Sequence, residues 1–291
     1  MPELPEVETI RNGLNKLLIG RQISKVDYDW DKSFPNSTED VARFLIGSRV
    51  ISISRRAKVL IIDLDSRYSL VIHLKMTGQL VFRGEQNFGA GHPTKSLVEA
   101  LPDRSTRVTF GFSDSSKLFF NDQRKFGWVR LLPTAEVPNI DFMKKLGPEP
   151  LSADFTPHQF ISRLRRRPKS NIKAVLLDQN IIAGVGNIYA DESLWGARIH
   201  PQTLVATLSE QKMKDLFKEL RFVLNLSIEK GGSTDRNYVD AEGKKGSYLS
   251  FARVFRREGQ PCPRCSEKII KIRVVGRGTH LCPRCQKVRK P

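Results

Sequence analysis

The spacing of hydrophobic residues changes twice along the chain. Near the N-terminus it is helical: Val7, Ile10 and Leu14 fall on one face, and the pattern predicts a helix over 7–20. Beyond residue 23 the pattern becomes short runs of Val, Ile, Phe and Tyr separated by Gly, Asp, Asn and Ser, which predict β-strands. The predicted strands cover 49–55, 58–65, 68–75, 78–83, 107–112, 117–121 and 127–132, and the polar stretch 84–104 is predicted to be a long loop. Many short strands with turns between them favour a β-sandwich or barrel.

A proline-rich stretch at 133–154 separates this β-rich part from a helical part. Thr156 before Pro157 predicts a helix start, because a cap residue followed by proline suits the first turn. Further helices are predicted over 170–179 and 208–229, the latter opened by Thr207 and Glu210 at capping-box spacing. Beyond these helices, residues 231–249 have the composition of a flexible segment, and the short remainder of the chain is basic and contains every cysteine.

Length and charge narrow the class of protein. A chain of 291 residues suits two or three folding units. Its 49 Lys and Arg residues against 31 acidic residues leave a net charge of +18, which favours a polyanionic partner, nucleic acid first. The alternative is a ribosome-like or merely solubilising charge. No apolar run approaches the roughly 18 residues of a membrane span, and the acidic N-terminus lacks a signal region, so we expect no membrane association and a location in the cytoplasm or nucleoid.

The four cysteines form two close pairs near the C-terminus. Cys262 and Cys265 are separated by two residues, as are Cys282 and Cys285, and sixteen residues lie between the pairs. This spacing suits a hairpin that brings four thiolates to one structural zinc ion, with no open coordination position for catalysis. Free thiols or a redox pair are the alternatives. The surrounding basic residues indicate a clamp for the DNA backbone, or else a solvated basic tail: Arg256, Arg257, Lys268, Lys271, Arg273, Arg277, Lys287, Arg289 and Lys290.

Two other segments could carry chemistry. Gly184 and Gly186 make a tight turn before a helix that restarts at Asn187, where backbone amides could bind a phosphate; such turns also occur for packing alone. At the N-terminus, removal of Met1 would expose the secondary amine of Pro2 beside several carboxylates. An α-amino group has a pKa of about 8, so part of it is nucleophilic at neutral pH. A frayed and inert chain end is the alternative interpretation.

These segments occur together in an order that resembles bacterial formamidopyrimidine-DNA glycosylase, which is also a DNA-(apurinic or apyrimidinic site) lyase. The resemblance covers essentially the whole chain. It is carried by the opening Met-Pro-Glu-Leu-Pro-Glu-Val-Glu-Thr, by His-Leu-Lys-Met-Thr-Gly at 73–78, by Gln-Arg-Lys-Phe-Gly at 123–127, by the segment 183–192 and by the four-cysteine finger. The implied fold is a multidomain α+β protein: an N-terminal β-sandwich with flanking helices, a C-terminal helix–two-turn–helix domain and a terminal zinc-binding β-hairpin.

The resemblance also implies domain limits. These are a catalytic β-sandwich domain over 1–135, a linker over 136–154, a helix–two-turn–helix domain over 155–254 with a lesion-capping loop at 233–247, and a zinc finger over 255–291.

The resemblance further implies a bifunctional enzyme of base excision repair that removes oxidised purines such as 8-oxoguanine and formamidopyrimidines. Pro2 would attack C1′ of the damaged nucleotide, expel the base and form an iminium ion that permits β,δ-elimination. Glu3 would act as an acid toward the opening sugar, and Lys58 would contact phosphate and assist proton transfer. Arg277, five residues before Cys282, would hold the phosphate at the lesion.

The remaining implied contacts are with double-stranded DNA. Met76, Arg124 and Phe126 would fill the gap left by the everted base, although as strand residues Met76 and Phe126 would otherwise be read as core. Asn187 would bind the lesion phosphate together with Arg277. Weaker backbone contacts are expected from Ser105, Arg167 and Lys169, and the enzyme is expected to act as a monomer.

Two alternatives share this architecture. An endonuclease VIII-like glycosylase for oxidised pyrimidines usually has Gly at the position of Leu4, so Leu4 favours the purine-lesion branch. A catalytically silent DNA-binding protein is disfavoured by the presence of Pro2, Glu3 and Lys58. The chain departs from the family pattern at Phe255-Arg256-Arg257, where Tyr-Gly-Arg is frequent, and it lacks a His-rich stretch near 105–107.

Overall fold

The computed structural model describes residues 1–92, 94–233 and 248–288. The predicted lesion-capping loop lies outside the described residues except for Ser233, as do the basic residues at 289 and 290. The described chain forms two compact units. The first contains residues 1–144 and 230–233. The second contains residues 145–229 and 248–288.

The first unit combines antiparallel sheets with helices. Its elements are α1 (Leu4–Leu18), β1 (Ile23–Tyr28), α2 (Thr38–Asp40), a π-helical turn (Val41–Leu45), β2 (Val50–Arg56), β3 (Val59–Leu64), β4 (Tyr68–His73), β5 (Gly78–Arg83), β6 (Phe88–Gly91), a 3-10 turn (Lys95–Leu97), β7 (Thr106–Phe112), β8 (Lys117–Asp122), β9 (Trp128–Pro133), a 3-10 helix (Thr134–Asn139) and α3 (Asp141–Lys144). One sheet has the order β1-β7-β8-β5-β6 and the other β2-β3-β4-β9.

The two sheets and α1 share one hydrophobic core. Side chains such as Leu14 of α1, Leu60 of β3 and Phe120 of β8 are buried in the same cluster. Strand β9 alternates buried and exposed residues, as the strand period requires, whereas β4 and β5 are buried along almost their whole length. The predicted sandwich is therefore confirmed.

The strand predictions missed β1 and β6. Within β1 only Ile23 is buried, so the run lacks a visible apolar face. Strand β6 lies in the stretch predicted to be a loop, and its Phe88 and Ala90 pack in the core. Because two of its four residues are glycine, β6 has no recognisable strand pattern. Glycine is needed at Gly91, which has a φ of +125°, because a Cβ there would lie 2.4 Å from the Gly78 carbonyl oxygen. The prediction of a loop throughout 84–104 was wrong for this reason.

The second unit is helical and ends in a hairpin. Its elements are α4 (Pro157–Leu164), α5 (Ile172–Leu177), α6 (Asn187–Gly196), a 3-10 turn (Val205–Thr207), α7 (Glu210–Glu229), α8 (Tyr248–Phe251), β10 (Ile270–Val274) and β11 (Arg277–Leu281). The apolar stripes of α4 to α7 meet in a second core that includes Phe160, Leu176, Leu194 and Leu220. The α+β architecture predicted from the sequence is thus present.

The helix caps were predicted with mixed success. At α4, Thr156 and Gln159 form a capping box, and Pro157 occupies the first turn as expected. At α7 the prediction was wrong. The Ser209 hydroxyl accepts a hydrogen bond from the Lys212 backbone N–H at 3.3 Å, while Thr207 lies in the preceding 3-10 turn and donates to the Leu204 carbonyl.

Candidate functional site

The N-terminal residues are fixed rather than frayed. Pro2 and Glu3 are buried, whereas Met1 is 46 % exposed. The backbone N–H of Glu3 donates to Glu6 Oε2 at 2.8 Å, within a capping box that opens α1. The second oxygen of Glu6 accepts the Ser233 backbone N–H at 2.8 Å. The Glu6 carboxylate thus fixes the Glu3 backbone N–H and joins it to Ser233, so a nucleophile at residue 2 would have a defined position.

Lys58 lies in the two-residue turn between β2 and β3, where Arg56 pairs with Val59. Ala57 adopts a φ of 54°, and the Lys58 side chain is only 7 % exposed, which is unusual for a lysine in a turn. A buried ammonium must be compensated by its surroundings, and this lysine interacts with neighbouring groups. The structure therefore excludes the reading of Lys58 as a solvated residue at a strand start.

An ion pair connects this turn to α1. The Arg55 Nε donates to Glu8 Oε2 at 2.7 Å, and its Nη1 donates to the Ala57 carbonyl at 2.9 Å. Burial alone would raise the pKa of Glu8, but the hydrogen bonds and charges of Arg55 and Arg11 outweigh burial and lower it. Glu8 therefore stays ionised and ties the helix that follows Pro2 and Glu3 to the turn that carries Lys58. The sequence analysis did not identify this pair, because its members are 47 residues apart.

Met76, Arg124 and Phe126 lie on two loops of the first unit. Phe126 is 53 % exposed, although it is a large apolar residue, and Arg124 is exposed beside it. The Arg124 guanidinium carbon lies 4.8 Å from the centroid of the Phe126 ring. Met76 is half-buried in the turn between β4 and β5. An exposed aromatic ring stacked with an arginine is not a core feature, so the core interpretation of Phe126 fails.

In the second unit, the start of α6 and the C-terminal hairpin are joined. The Asn187 Nδ2 donates to the Gly278 carbonyl at 3.0 Å, one residue after Arg277. Asn187 Oδ1 is buried and has no hydrogen-bond partner in the described residues. Arg277 is exposed and follows a tight turn in which Val275 and Gly276 have φ values of 51° and 71°. The two predicted phosphate ligands of this unit are therefore held next to each other.

A buried ion pair reinforces this junction. Lys173 Nζ lies 2.6 Å from Asp191 Oδ1, and both side chains are fully buried. Lys173 also donates to the Thr279 hydroxyl at 2.7 Å, and the second oxygen of Asp191 accepts the His280 backbone N–H at 2.9 Å. Successive residues of β11 are thus bonded to α5 and α6. Sequence reasoning missed Lys173 and Asp191, since nothing in their local pattern distinguishes them from solvated helix residues.

Three weaker candidates are placed differently from one another. Arg167 and Lys169 are exposed beyond α4, and Arg167 lies 4.0 Å from Asp178 Oδ2. Ser105 is 3 % exposed, and its hydroxyl donates to Asp103 Oδ1 at 2.7 Å. A DNA contact through the Ser105 side chain would require this hydrogen bond to be exchanged.

The four cysteines converge as a zinc site requires. Their sulfur atoms all lie within 4.8 Å of one another. The closest Sγ–Sγ distances are 3.4 Å for Cys265–Cys285, 3.5 Å for Cys265–Cys282 and 3.9 Å for Cys262–Cys285. A tetrahedron with Zn–S bonds of about 2.3 Å places its sulfurs about 3.8 Å apart, so the cluster fits the ion. Trp195 of α6 donates its Nε1–H to Cys262 Sγ at 3.4 Å and attaches the cluster to the helical core.

Comparison with known proteins covers nearly the whole chain. Residues 1–129 match the model of the formamidopyrimidine-DNA glycosylase N-terminal domain, residues 146–238 match its H2TH domain, and residues 259–288 match a zinc finger found in FPG and IleRS. The last match coincides with the cysteine cluster, and the four cysteines hold one structural zinc ion. No helix in the described ranges is both long and apolar enough to cross a membrane.

Full-length relatives and solved structures of formamidopyrimidine-DNA glycosylases are also similar to this chain. A formamidopyrimidine-DNA glycosylase of Pelotomaculum thermopropionicum is 40 % identical over 290 residues and covers 99 % of this chain and 100 % of its own. One of Chloroflexus aurantiacus is 42 % identical and covers 98 % of both chains. Among solved structures, a complex of the wild-type Lactococcus lactis Fpg with DNA containing N7-benzyl-Fapy-dG has a TM-score of 0.86 at 35 % identity, covering 98 % of this chain and 100 % of that one. A structure of MutM with DNA containing carbocyclic 8-oxo-G has a TM-score of 0.85 at 35 % identity, with the same coverage.

Proposed function

This chain belongs to the formamidopyrimidine-DNA glycosylase family, and from that membership we propose the reaction and the residue roles set out here. The protein is a base excision repair glycosylase whose substrate is DNA. The observation that carries the assignment is the buried, hydrogen-bonded N-terminus, which fixes Pro2 and Glu3 on the same unit as the buried Lys58.

Pro2 is the proposed nucleophile once Met1 has been removed. The unprotonated secondary amine attacks C1′ of the damaged nucleotide, and the C1′–N bond to the base breaks with its electron pair leaving on the base. The nitrogen then loses its proton and the C1′–O4′ bond breaks as the sugar ring opens with a proton added to O4′, so the secondary amine yields a cationic iminium, which acidifies C2′. Loss of that proton expels the 3′-phosphate by β-elimination, and δ-elimination then releases the 5′-phosphate.

Glu3 and Lys58 are the proposed proton-transfer groups. Glu3 follows the nucleophile directly and has a backbone fixed by Glu6, so its carboxyl group can donate a proton to the opening sugar ring oxygen. Lys58 supplies a cation held in a buried turn, suited to the phosphate beside the lesion and to a proton relay. Glu8 and Arg55 do not take part in the chemistry but fix the turn relative to α1.

The proposed grip on DNA uses both units. Asn187 and Arg277 hold the lesion phosphate, because a helix start with an adjacent guanidinium provides N–H donors and a positive charge. Arg167 and Lys169 add backbone contacts, with Ser105 a minor contributor. Met76, Arg124 and Phe126 enter the gap that the everted nucleotide leaves in the stack.

The proposed substrate is double-stranded DNA that carries oxidised purines. Leu4 and the named relatives favour this lesion class over oxidised pyrimidines. We place the enzyme with the nucleoid in the cytoplasm and expect it to act as a monomer, since one chain supplies every group named here. Faster cleavage of a thymine glycol duplex than of an 8-oxoguanine duplex would assign it to the pyrimidine branch instead.

Replacement of Glu3 separates chemistry from binding. Glu3→Gln keeps the size of the side chain but removes the proton donor, so we expect the single-turnover excision of 8-oxoguanine to fall by about 100-fold or more. Affinity for the same duplex, measured by fluorescence anisotropy, should change by less than about threefold because no phosphate contact is lost. Equal losses of excision and affinity would contradict the assigned role.

A further inference from the structure

One buried carboxylate, not used in the reaction, lies behind the three gap-filling residues. Asp122 ends β8 and is fully buried. Its Oδ2 accepts the backbone N–H groups of Phe126 at 2.8 Å and Gly127 at 2.7 Å. Its Oδ1 accepts the backbone N–H of Arg124 at 3.2 Å. A single side chain therefore bonds the backbone on which both Arg124 and Phe126 are carried.

The same carboxylate reaches the second loop. The Thr77 hydroxyl donates to Asp122 Oδ1, and the Arg124 backbone N–H also points to this hydroxyl at 3.2 Å. Thr77 directly follows Met76, so the turn that carries Met76 is bonded to the loop that carries Arg124. Thr77 and Asp122 are 45 residues apart in sequence, and their bond adds a side-chain link to the pairing of β5 with β8.

Both loops have backbone conformations that need such support. Lys75 and Lys125 have φ values of 50° and 57°, in the left-handed region that non-glycine residues rarely occupy. Strain of this kind persists only where surrounding bonds over-determine the conformation. Gly127 is required for the approach, because a Cβ at this position would lie 2.6 Å from the ring of Phe120.

Asp122 is itself held rigidly by the sheet. Its backbone N–H donates to the Ser105 carbonyl at 2.8 Å, and its carbonyl accepts the Nε–H of the buried Arg107 at 3.0 Å. In the β5–β8 ladder it stands opposite Gly78. The carboxylate is therefore fixed in the sandwich, and it accepts hydrogen bonds from both loops.

We propose that Asp122 is a positioning residue that sets Met76, Arg124 and Phe126 in the relative arrangement with which they enter the DNA stack. This inference rests on the gap-filling role given to those residues in the proposed function. Without the carboxylate the loops stay attached to their paired strands, but the backbone that carries Arg124 and Phe126 loses its acceptors. Ordering these loops must then be achieved at the moment of insertion, at a cost in conformational entropy.

The test compares Asp122→Asn with wild type. The amide keeps the volume but has one acceptor oxygen instead of two. In one orientation its NH2 group faces the N–H groups of Phe126 and Gly127, and in the other it faces the N–H of Arg124. The probe is a duplex with a tetrahydrofuran abasic-site analogue and 2-aminopurine next to the opposite base, so that unstacking by the wedge raises fluorescence without chemistry. We expect the fluorescence rise to be mostly lost and excision of 8-oxoguanine to fall about 10- to 100-fold, while affinity for undamaged duplex stays within about twofold.

Asp63→Asn is the matched control. Asp63 accepts hydrogen bonds from the Ser52 and Ser69 hydroxyls at 2.6 Å in the other sheet, so its loss should leave the fluorescence rise and excision unchanged. Thr77→Val is the second variant, which keeps the carboxylate but unlinks the Met76 turn, and we expect an intermediate loss of the rise. It decides the matter if Asp122→Asn fails to fold.

A folded Asp122→Asn, with unaltered melting temperature and circular dichroism, that keeps the full fluorescence rise would overturn the proposal. So would a Thr77→Val protein identical to wild type if the asparagine variant does not fold. Failure of the proposed function is a separate result: wild-type protein would then raise the fluorescence yet release no 8-oxoguanine.

Discussion

His73, at the end of β4, shows how the burial of one side chain near the proposed active site governs its charge. Its Nδ1 accepts the Lys75 backbone N–H at 3.0 Å, a bond that only the neutral ring can make at this atom. Burial, together with the positive charges of Lys75 and Lys58, lowers the pKa of His73 to about 3. The ring therefore stays neutral in the folded protein at any pH at which DNA repair occurs.

This lowered pKa predicts a loss of stability in acid. In the unfolded chain His73 takes up a proton near pH 6.5, whereas in the folded protein it does so only near the pKa of about 3. Its contribution is complete above pH 6.5 and is lost as the pH falls, by about 1.4 kcal/mol per pH unit. Urea unfolding at pH 7 and pH 5 should show a free energy of unfolding that falls by about 2 kcal/mol more in wild type than in His73→Gln. Equal falls in the two proteins would show that His73 is not the titrating group.

At the scale of elements, one face of α6 organises the second unit. Asn187, Asp191 and Trp195 recur at intervals of four residues, and they bond to Gly278, His280 and Cys262 respectively. Glu192 beside them accepts the backbone N–H groups of three residues that precede the finger, Arg253, Val254 and Phe255. The helix thus fixes the hairpin through polar groups, whereas an isolated hairpin of this size has too little core to hold its shape.

Zinc supplies the rest of the hairpin's stability. In Cys282→Ser a thiolate ligand is replaced by a poor one, so we expect metal content to fall well below one zinc per chain, because metal binding contributes much of the folding energy of such modules. Inductively coupled plasma mass spectrometry on the purified protein measures this directly. Retention of one zinc by the variant would mean that Cys282 is not a ligand.

Replacement of Arg277 tests whether the hairpin binds the lesion phosphate or is only a solvated basic tail. Arg277→Ala removes an exposed side chain, so zinc content and melting temperature should barely change. Loss of one phosphate contact should reduce the slope of log affinity against log salt by about 0.9, for damaged and undamaged duplexes alike. Strand cleavage should also slow, since a displaced phosphate moves C1′ away from Pro2. An unchanged salt slope and unchanged cleavage would remove Arg277 from the phosphate site.

The elements themselves differ in how well the sequence predicted them. Strands β4 and β5, which are buried along almost their whole length, were predicted within two residues of their observed ends because each contains a short apolar run. Strand β1, with one buried residue, and the glycine-rich β6 carry no such pattern. Their pairing is decided by neighbouring strands, which local sequence does not encode.

Across the whole molecule, the residues proposed to react could be predicted from the sequence, whereas the residues that hold them in place could not. The proposed reactive groups Pro2, Glu3 and Lys58 and the four cysteines lie in short motifs, so they could be named from the sequence. The groups that position them pair over long separations: 47 residues for Glu8 and Arg55, and 106 for Lys173 and Thr279. Such pairs exist only once the chain has folded, and a single sequence holds no signal for them.

The net charge of +18 belongs to the whole chain and predicts a strong dependence of DNA binding on salt, but it does not locate the reaction. The central claim is that the reaction occurs at the nitrogen of Pro2. Borohydride reduces an iminium to a stable amine, so it should cross-link the protein to a duplex that carries 8-oxoguanine opposite cytosine. Intact mass should first show that Met1 is absent, and peptide mapping should then place the DNA adduct on Pro2. An adduct on Lys58, or no adduct with protein that begins at Pro2, would contradict the account.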